Sequence, residues 1–99
     1  MARQIIIDKD ILGWGDEHEK ELNGKYEQVL QVGKHSDLPQ RNTDETNAIY
    51  CKQNNCDLLT GDRTAHLQFF KAGIKKVTIS QYDYWHKGDK PIYLIQIND

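Results

Sequence analysis

Little in this 99-residue chain serves cross-linking, kinking or membrane contact. It has two cysteines, two prolines and one methionine, and its longest apolar run is Ile92 to Ile95. A helix that crosses a bilayer needs roughly 20 apolar residues, so no membrane-spanning segment is expected. The first residues, Met1-Ala2-Arg3-Gln4, lead straight into Ile5. No secretory signal is read there, and the default compartment is the cytoplasm. Cys51 and Cys56 are too few for a disulfide scaffold, and their spacing matches no common zinc knuckle; they read as reduced, structural thiols. Histidines 18, 35, 66 and 86 form no HxxxH or HxH pair and read as surface or core residues. Neither sign of charge prevails: 13 Lys and Arg stand against 15 Asp and Glu, for a net charge of −2. That weighs mildly against a dedicated nucleic-acid binder, whose footprint is normally basic. A metal held by three of the acids would reverse the sign of the remainder, so composition alone does not decide the matter.

What is present is an ordinary globular balance of 28% charged and 37% apolar residues, enough for one domain, residues 1–99, with a modest core. Strand-like and helix-like pieces alternate. Ile5-Ile6-Ile7 is a continuous β-branched run suited to a strand buried on both faces. Asp16 and Glu19 have capping-box spacing, predicting a short helix to Asn23-Gly24. Val29, Leu30 and Val32 predict a second strand ending at Gly33, and the polar stretch Lys34 to Asn42 with Pro39 predicts a loop. Thr43 caps a predicted helix to about Asn54, with Asp44 and Glu45 in its first turn. A strand over Asp57 to Thr60, a helix over Thr64 to Ala72, a strand over Lys76 to Ile79 and a strand over Ile92 to Ile97 complete the series. The last is reached through a turn at Gly88-Asp89-Lys90-Pro91. This βαβαβ rhythm predicts a three-layer α/β/α domain with a mostly parallel sheet of four to five strands.

In such a fold three acids draw attention. Asp8 closes the first strand, Asp44 opens a helix, and Asp62 follows the third strand; ligands bind at the carboxyl edge of open α/β sheets. Each has an ordinary explanation: a turn acid, a residue favouring the helix dipole, a cap. Asp44, however, stands at i, i+4 and i+7 with Ala48 and Cys51, on the stripe that faces the sheet. Oxygen ligands without cysteine or histidine suit a hard cation, Mg²⁺ or Mn²⁺, and such an ion can activate water and stabilise charge on a phosphodiester.

Thr43-Asp44-Glu45-Thr46-Asn47-Ala48, followed by Cys56-Asp57-Leu58-Leu59-Thr60-Gly61-Asp62, resembles the PIN domain, and more narrowly its short PIN-like members. The resemblance runs from Arg3 to about Ile79. It rests on the order and spacing of short motifs: Asp8 matches the first acid, Asp44 the helix-start acid, and Asp62 the final acid, with Thr60 the hydroxyl residue before it. It implies a metal-dependent ribonuclease acting on RNA, often the toxin of a toxin–antitoxin pair, with an antitoxin protein as partner; a homodimer through the aromatic stretch Tyr82 to His86 is the other candidate. Fuller members supply one more acid between the first two sites. Here Glu17, Glu19, Glu21 and Asp37 are candidates, none motif-marked, with Asp10 and Glu45 as substitutes. Arg63, Thr60 or a nearby lysine (Lys71, Lys75, Lys76) would meet phosphate.

Two other readings stand beside this one. Ile5-Ile6-Ile7-Asp8-Lys9-Asp10 also resembles the first motif of haloacid-dehalogenase-type phosphatases, with Asp8 as nucleophile, Asp10 as acid/base and Thr60 at the second motif. The later acidic pair of that family is missing, since Asp83 is isolated. The aromatic stretch Tyr82-Asp83-Tyr84-Trp85-His86 would, if exposed, mark a non-catalytic interaction module of the PIN-like kind; covering the sheet end is its plainer role.

Overall fold

The computed structural model describes residues 3–33, 44–85 and 90–97. The predicted loop from Lys34 to Asn42, the cap Thr43, Asp37, His35, His86 and the turn residues Gly88 and Asp89 lie outside the described residues.

The apolar run of the first strand, β1 (Gln4–Ile7), is wholly buried at Ile5, Ile6 and Ile7. Each such side chain is worth roughly 1.5–3 kcal/mol when removed from water. Two more strands flank β1 in parallel, β2 (Gln28–Gln31) and β3 (Cys56–Thr60). Ile6 faces a core formed with Ala48, Cys51 and Phe69, from helices α2 (Asp44–Asn54) and α3 (His66–Lys71). Ile5 and Ile7 face the other way, onto Trp14 and Leu22 of helix α1 (Leu12–Asn23). The period-2 alternation of one strand therefore feeds two cores.

The remaining strands correct the sequence reading. β5 (Lys90–Ile97) pairs antiparallel with β3, and β4 (Val77–Trp85) pairs antiparallel with β5. The sheet order is β2-β1-β3-β5-β4, with two parallel and two antiparallel pairings, so the sheet is mixed and not mostly parallel. The reason is length. β4 does not stop at Ile79 but runs on to Trp85, leaving only residues 86–89 before β5. A parallel return needs a crossover of about a dozen residues, whereas so short a link permits only a hairpin.

The aromatic stretch is strand, and a register irregularity between Gln81 and Asp83 decides its fate. Val77 and Ile79 pack on the α2–α3 core, while Tyr82 and Trp85 pack on the α1 core. A bulge shifts side-chain parity by one, which puts both rings on the α1 face. Asp83 is fixed there by Trp14, whose Nε1 donates to Oδ2 at 2.9 Å, with His18 Nε2 at 3.5 Å and its ring stacked on Trp14 at 4.3 Å. Tyr82 and Trp85 thus cover the sheet end as the plainer role has it, while Tyr84 is exposed.

The first helix also starts earlier than predicted. A 3₁₀ turn over Lys9–Ile11, capped by Asp8, leads directly into α1 at Leu12, so Asp16 lies inside the helix and not at its cap. Ile11, Trp14 and Leu22 are the buried stripe that holds it. Gly15 lets the helix sit close: a Cβ there would lie 2.8 Å from Ile7 Cγ2. No described helix is long and apolar enough to cross a membrane.

Candidate functional site

Chain direction makes one place in this sheet different from the rest. β1 passes into α1 on one face, and its parallel neighbour β3 passes towards α3 on the other. Connections that leave neighbouring strands on opposite faces open a crevice beyond their carboxyl ends, the usual ligand position of open α/β sheets. Asp8, Thr60, Gly61 and Asp62 follow or end these two strands and line that edge.

Asp8 is only 4% exposed. Its Oδ1 accepts from the backbone N–H of Lys9 at 2.8 Å and lies 3.5 Å from Asn47 Nδ2 on α2; its Oδ2 accepts from Thr60 Oγ1 at 2.9 Å. Burying a carboxylate is costly unless such bonds satisfy it. Thr60 is fully buried and relays the contact, since its Oγ1 also accepts from the N–H of Asp62 at 3.1 Å. Its hydroxyl proton is directed at Asp8, which makes it a brace for that carboxylate.

Asp62 caps the 3₁₀ turn Arg63–Ala65, where Oδ1 accepts from Thr64 N at 2.9 Å and from Thr64 Oγ1 at 2.7 Å. Asp10 reaches across from the turn after β1 and accepts from the N–H of Gly61 at 3.2 Å. It also pairs with Lys90 Nζ at 3.2 Å. Asp8, Asp10, Thr60 and Asp62 are thus brought to one edge.

Asp44 begins α2, three residues before Asn47; its side chain lies outside the described residues. Among those residues no three His, Cys, Asp or Glu side chains are grouped so as to hold a metal ion. Glu45 is exposed on α2, and Glu17, Glu19 and Glu21 are exposed along α1, with Glu21 paired to Lys25 at 3.5 Å. Arg63 is exposed just after Asp62. Lys75 and Lys76 precede Val77, which pairs with Ile97 at the far edge of the sheet, so they sit away from the acids. Two residues near the acids were missed in the sequence. Asn47 shares the helix stripe of Asp44, and that spacing was the signal. Lys90 carried none until the direction of β5 was known.

The opposite edge holds a second buried acid. Asp57 is 1% exposed and accepts at Oδ2 from Tyr26 Oη at 3.0 Å and from Gln96 Nε2 at 3.3 Å. Its Oδ1 lies 3.0 Å from Arg3 Nη2, a contact of charge that falls outside hydrogen-bond geometry. The same guanidinium donates to Asn55 Oδ1 at 3.1 Å, tying the first strand to the turn before β3. Burial, and after it the charge and hydrogen bond of Asp57, push the Tyr26 phenol well above its usual range. Cys51 and Cys56 are free and buried nearby. The Cys51 thiol is held protonated chiefly by burial and then by its neighbour Cys56.

These features define a small α/β domain with a mixed five-stranded sheet and an acid-lined edge at its parallel switch point. No family model, curated protein or solved structure matches the chain.

Proposed function

We propose that the chain hydrolyses phosphodiester bonds of RNA with the help of a divalent cation, Mg²⁺ or Mn²⁺, held at the carboxyl edge of β1 and β3. The observation that carries this reading is Asp8, a nearly buried carboxylate whose two oxygens are both oriented by hydrogen bonds at the crevice between these strands. The donor chemistry fits a hard cation, for Asp8, Asp10 and Asp62 offer only carboxylate oxygens. Asp8 and Asp62 would hold the ion with Asp44 from the start of α2, and Asp10 or Glu45 would supplement them. Such a cation lowers the pKa of a bound water and offsets charge on the phosphate. The chain's own contribution is orientation: Thr60 and the Lys9 N–H fix the plane of the Asp8 carboxylate, and Asn47 closes it from α2.

The test is calorimetric titration with Mn²⁺ together with cleavage of a labelled RNA, on the wild type and on Asp8→Asn. Binding heat and metal-dependent cleavage, both lost in Asp8→Asn while the thermal transition stays within a few degrees, support the reading. Absence of heat and of cleavage in the wild type would sink it and leave a non-catalytic interaction module. Turnover of a small phosphomonoester with an acyl-phosphate trapped on Asp8 would assign the site to a phosphatase instead.

A further inference from the structure

We propose that Lys90 is the phosphate-gripping group of this edge, taking a non-bridging oxygen of a phosphodiester; the inference rests on the reading above and supplies its substrate contact. The antiparallel course of β5 delivers it. Tyr93 pairs with Thr60, so Lys90, three residues earlier in an antiparallel strand, lies beyond the carboxyl end of β3. In a parallel β5 the opposite end of the strand would have arrived there.

The side chain then crosses Gly61, the residue between Thr60 and Asp62. A Cβ on Gly61 would lie 2.2 Å from Lys90 Cε and 3.0 Å from Nζ. The missing methyl group is the lysine's passage. The ammonium carries three N–H donors, and its ion pair with Asp10 engages one side of the group while the side chain stays 34% exposed. Directly opposite on β4 stands Trp85, whose Nε1–H is buried and finds no acceptor among the described residues. The ammonium therefore keeps N–H donors beyond the one its Asp10 pair uses, at a partly exposed position, which suits an anion. The plainer interpretation, a surface ion pair of little energetic consequence, makes the opposite prediction for RNA.

The experiment compares wild type, Lys90→Ala, Lys90→Arg and Gly61→Ala. Cleavage of a labelled single-stranded RNA is followed with Mn²⁺, and binding of the same RNA by fluorescence anisotropy with Ca²⁺ in its place. Gly61→Ala crowds both Lys90 Cε and, at 2.9 Å, Asp10 Oδ2, so it disturbs the whole ion pair and is a steric companion to Lys90→Ala. We expect Lys90→Ala to lose about tenfold in RNA affinity and in kcat/KM. Its melting temperature should be unchanged, and its salt slope should be shallower by about 0.7, the share of one phosphate contact on a single strand. Lys90→Arg should keep most of the affinity. If the wild type cleaves and Lys90→Ala matches it in affinity and salt slope, the inference is overturned while the nuclease reading stands. If the wild type binds without cleaving and Lys90→Ala loses that binding, Lys90 keeps its role and the nuclease reading falls. If the wild type neither binds nor cleaves, both are overturned.

Discussion

Two buried aspartates sit at opposite ends of the same parallel strands, and their surroundings differ. Asp57, near the start of β3, meets the Arg3 guanidinium at 3.0 Å, with Tyr26 and Gln96 filling its other oxygen. Asp8, just past the end of β1, is oriented by a hydroxyl, a backbone N–H and a carboxamide. The first arrangement joins the N-terminal arm, α1's exit and the last strand, and so reads as a fastening. The second orients a carboxylate at the crevice beyond the carboxyl ends of β1 and β3. Burial of an acid therefore does not by itself distinguish architecture from chemistry; what surrounds it and where the chain turns do.

The largest expected effect breaks the fastening. Arg3→Met leaves Asp57 buried without its cation, and removing one partner of a buried pair costs about 3 kcal/mol. Asp8→Asn, which keeps the shape and discards a buried charge, should shift stability by less than about 1 kcal/mol. Urea unfolding of the two variants checks this directly. A mild Arg3→Met beside a severe Asp8→Asn would exchange the roles assigned to the two ends.

A smaller effect sharpens the Asp8 end. Thr60→Val conserves volume but removes the donor to Asp8 Oδ2 and the acceptor of the Asp62 N–H. A buried carboxylate and a part-buried N–H lose a partner, so a loss of about 2 kcal/mol is expected. Urea unfolding would reveal that loss, and an unchanged stability would mean that Thr60 merely fills space.

Much of this edge was legible because strand ends are legible. Ile5-Ile6-Ile7 and the Leu58-Leu59 pair are short apolar segments with an acid shortly beyond, and their lengths placed Asp8 and Asp62 at one edge. Sheet direction was not legible. It turned on whether Ser80 to Trp85 continued a strand, and the bulge between Gln81 and Asp83 breaks the alternation that would have announced it. With that missed, the hairpin was missed, and with the hairpin Lys90. The Asp57 end escaped for another reason. Its partners Arg3, Tyr26 and Gln96 are distant in sequence, and only the parallel register of β1 with β3 brings Arg3 alongside.

The smallest expected effect separates the two ends by pH. Tyr26→Phe removes one of two bonds to Asp57 Oδ2 while Gln96 keeps the other, which costs about 1 kcal/mol near neutrality. In the wild type the phenol holds its proton more tightly when folded than when unfolded, through burial first and Asp57 second. A pKa raised by folding contributes stability that is whole below the unfolded value of about 10 and is lost as pH climbs past it. Above that pH the unfolded chain ionises Tyr26 while the folded chain resists. The wild type should therefore lose its advantage over Tyr26→Phe by up to about 1.4 kcal/mol per pH unit, and the two stability curves should cross. Asp8→Asn, which touches the other end, should run parallel to the wild type across the same range. If Tyr26→Phe instead keeps a constant gap to high pH, the Asp57 pocket is open to water, and the contrast between a sealed fastening and an accessible acid disappears.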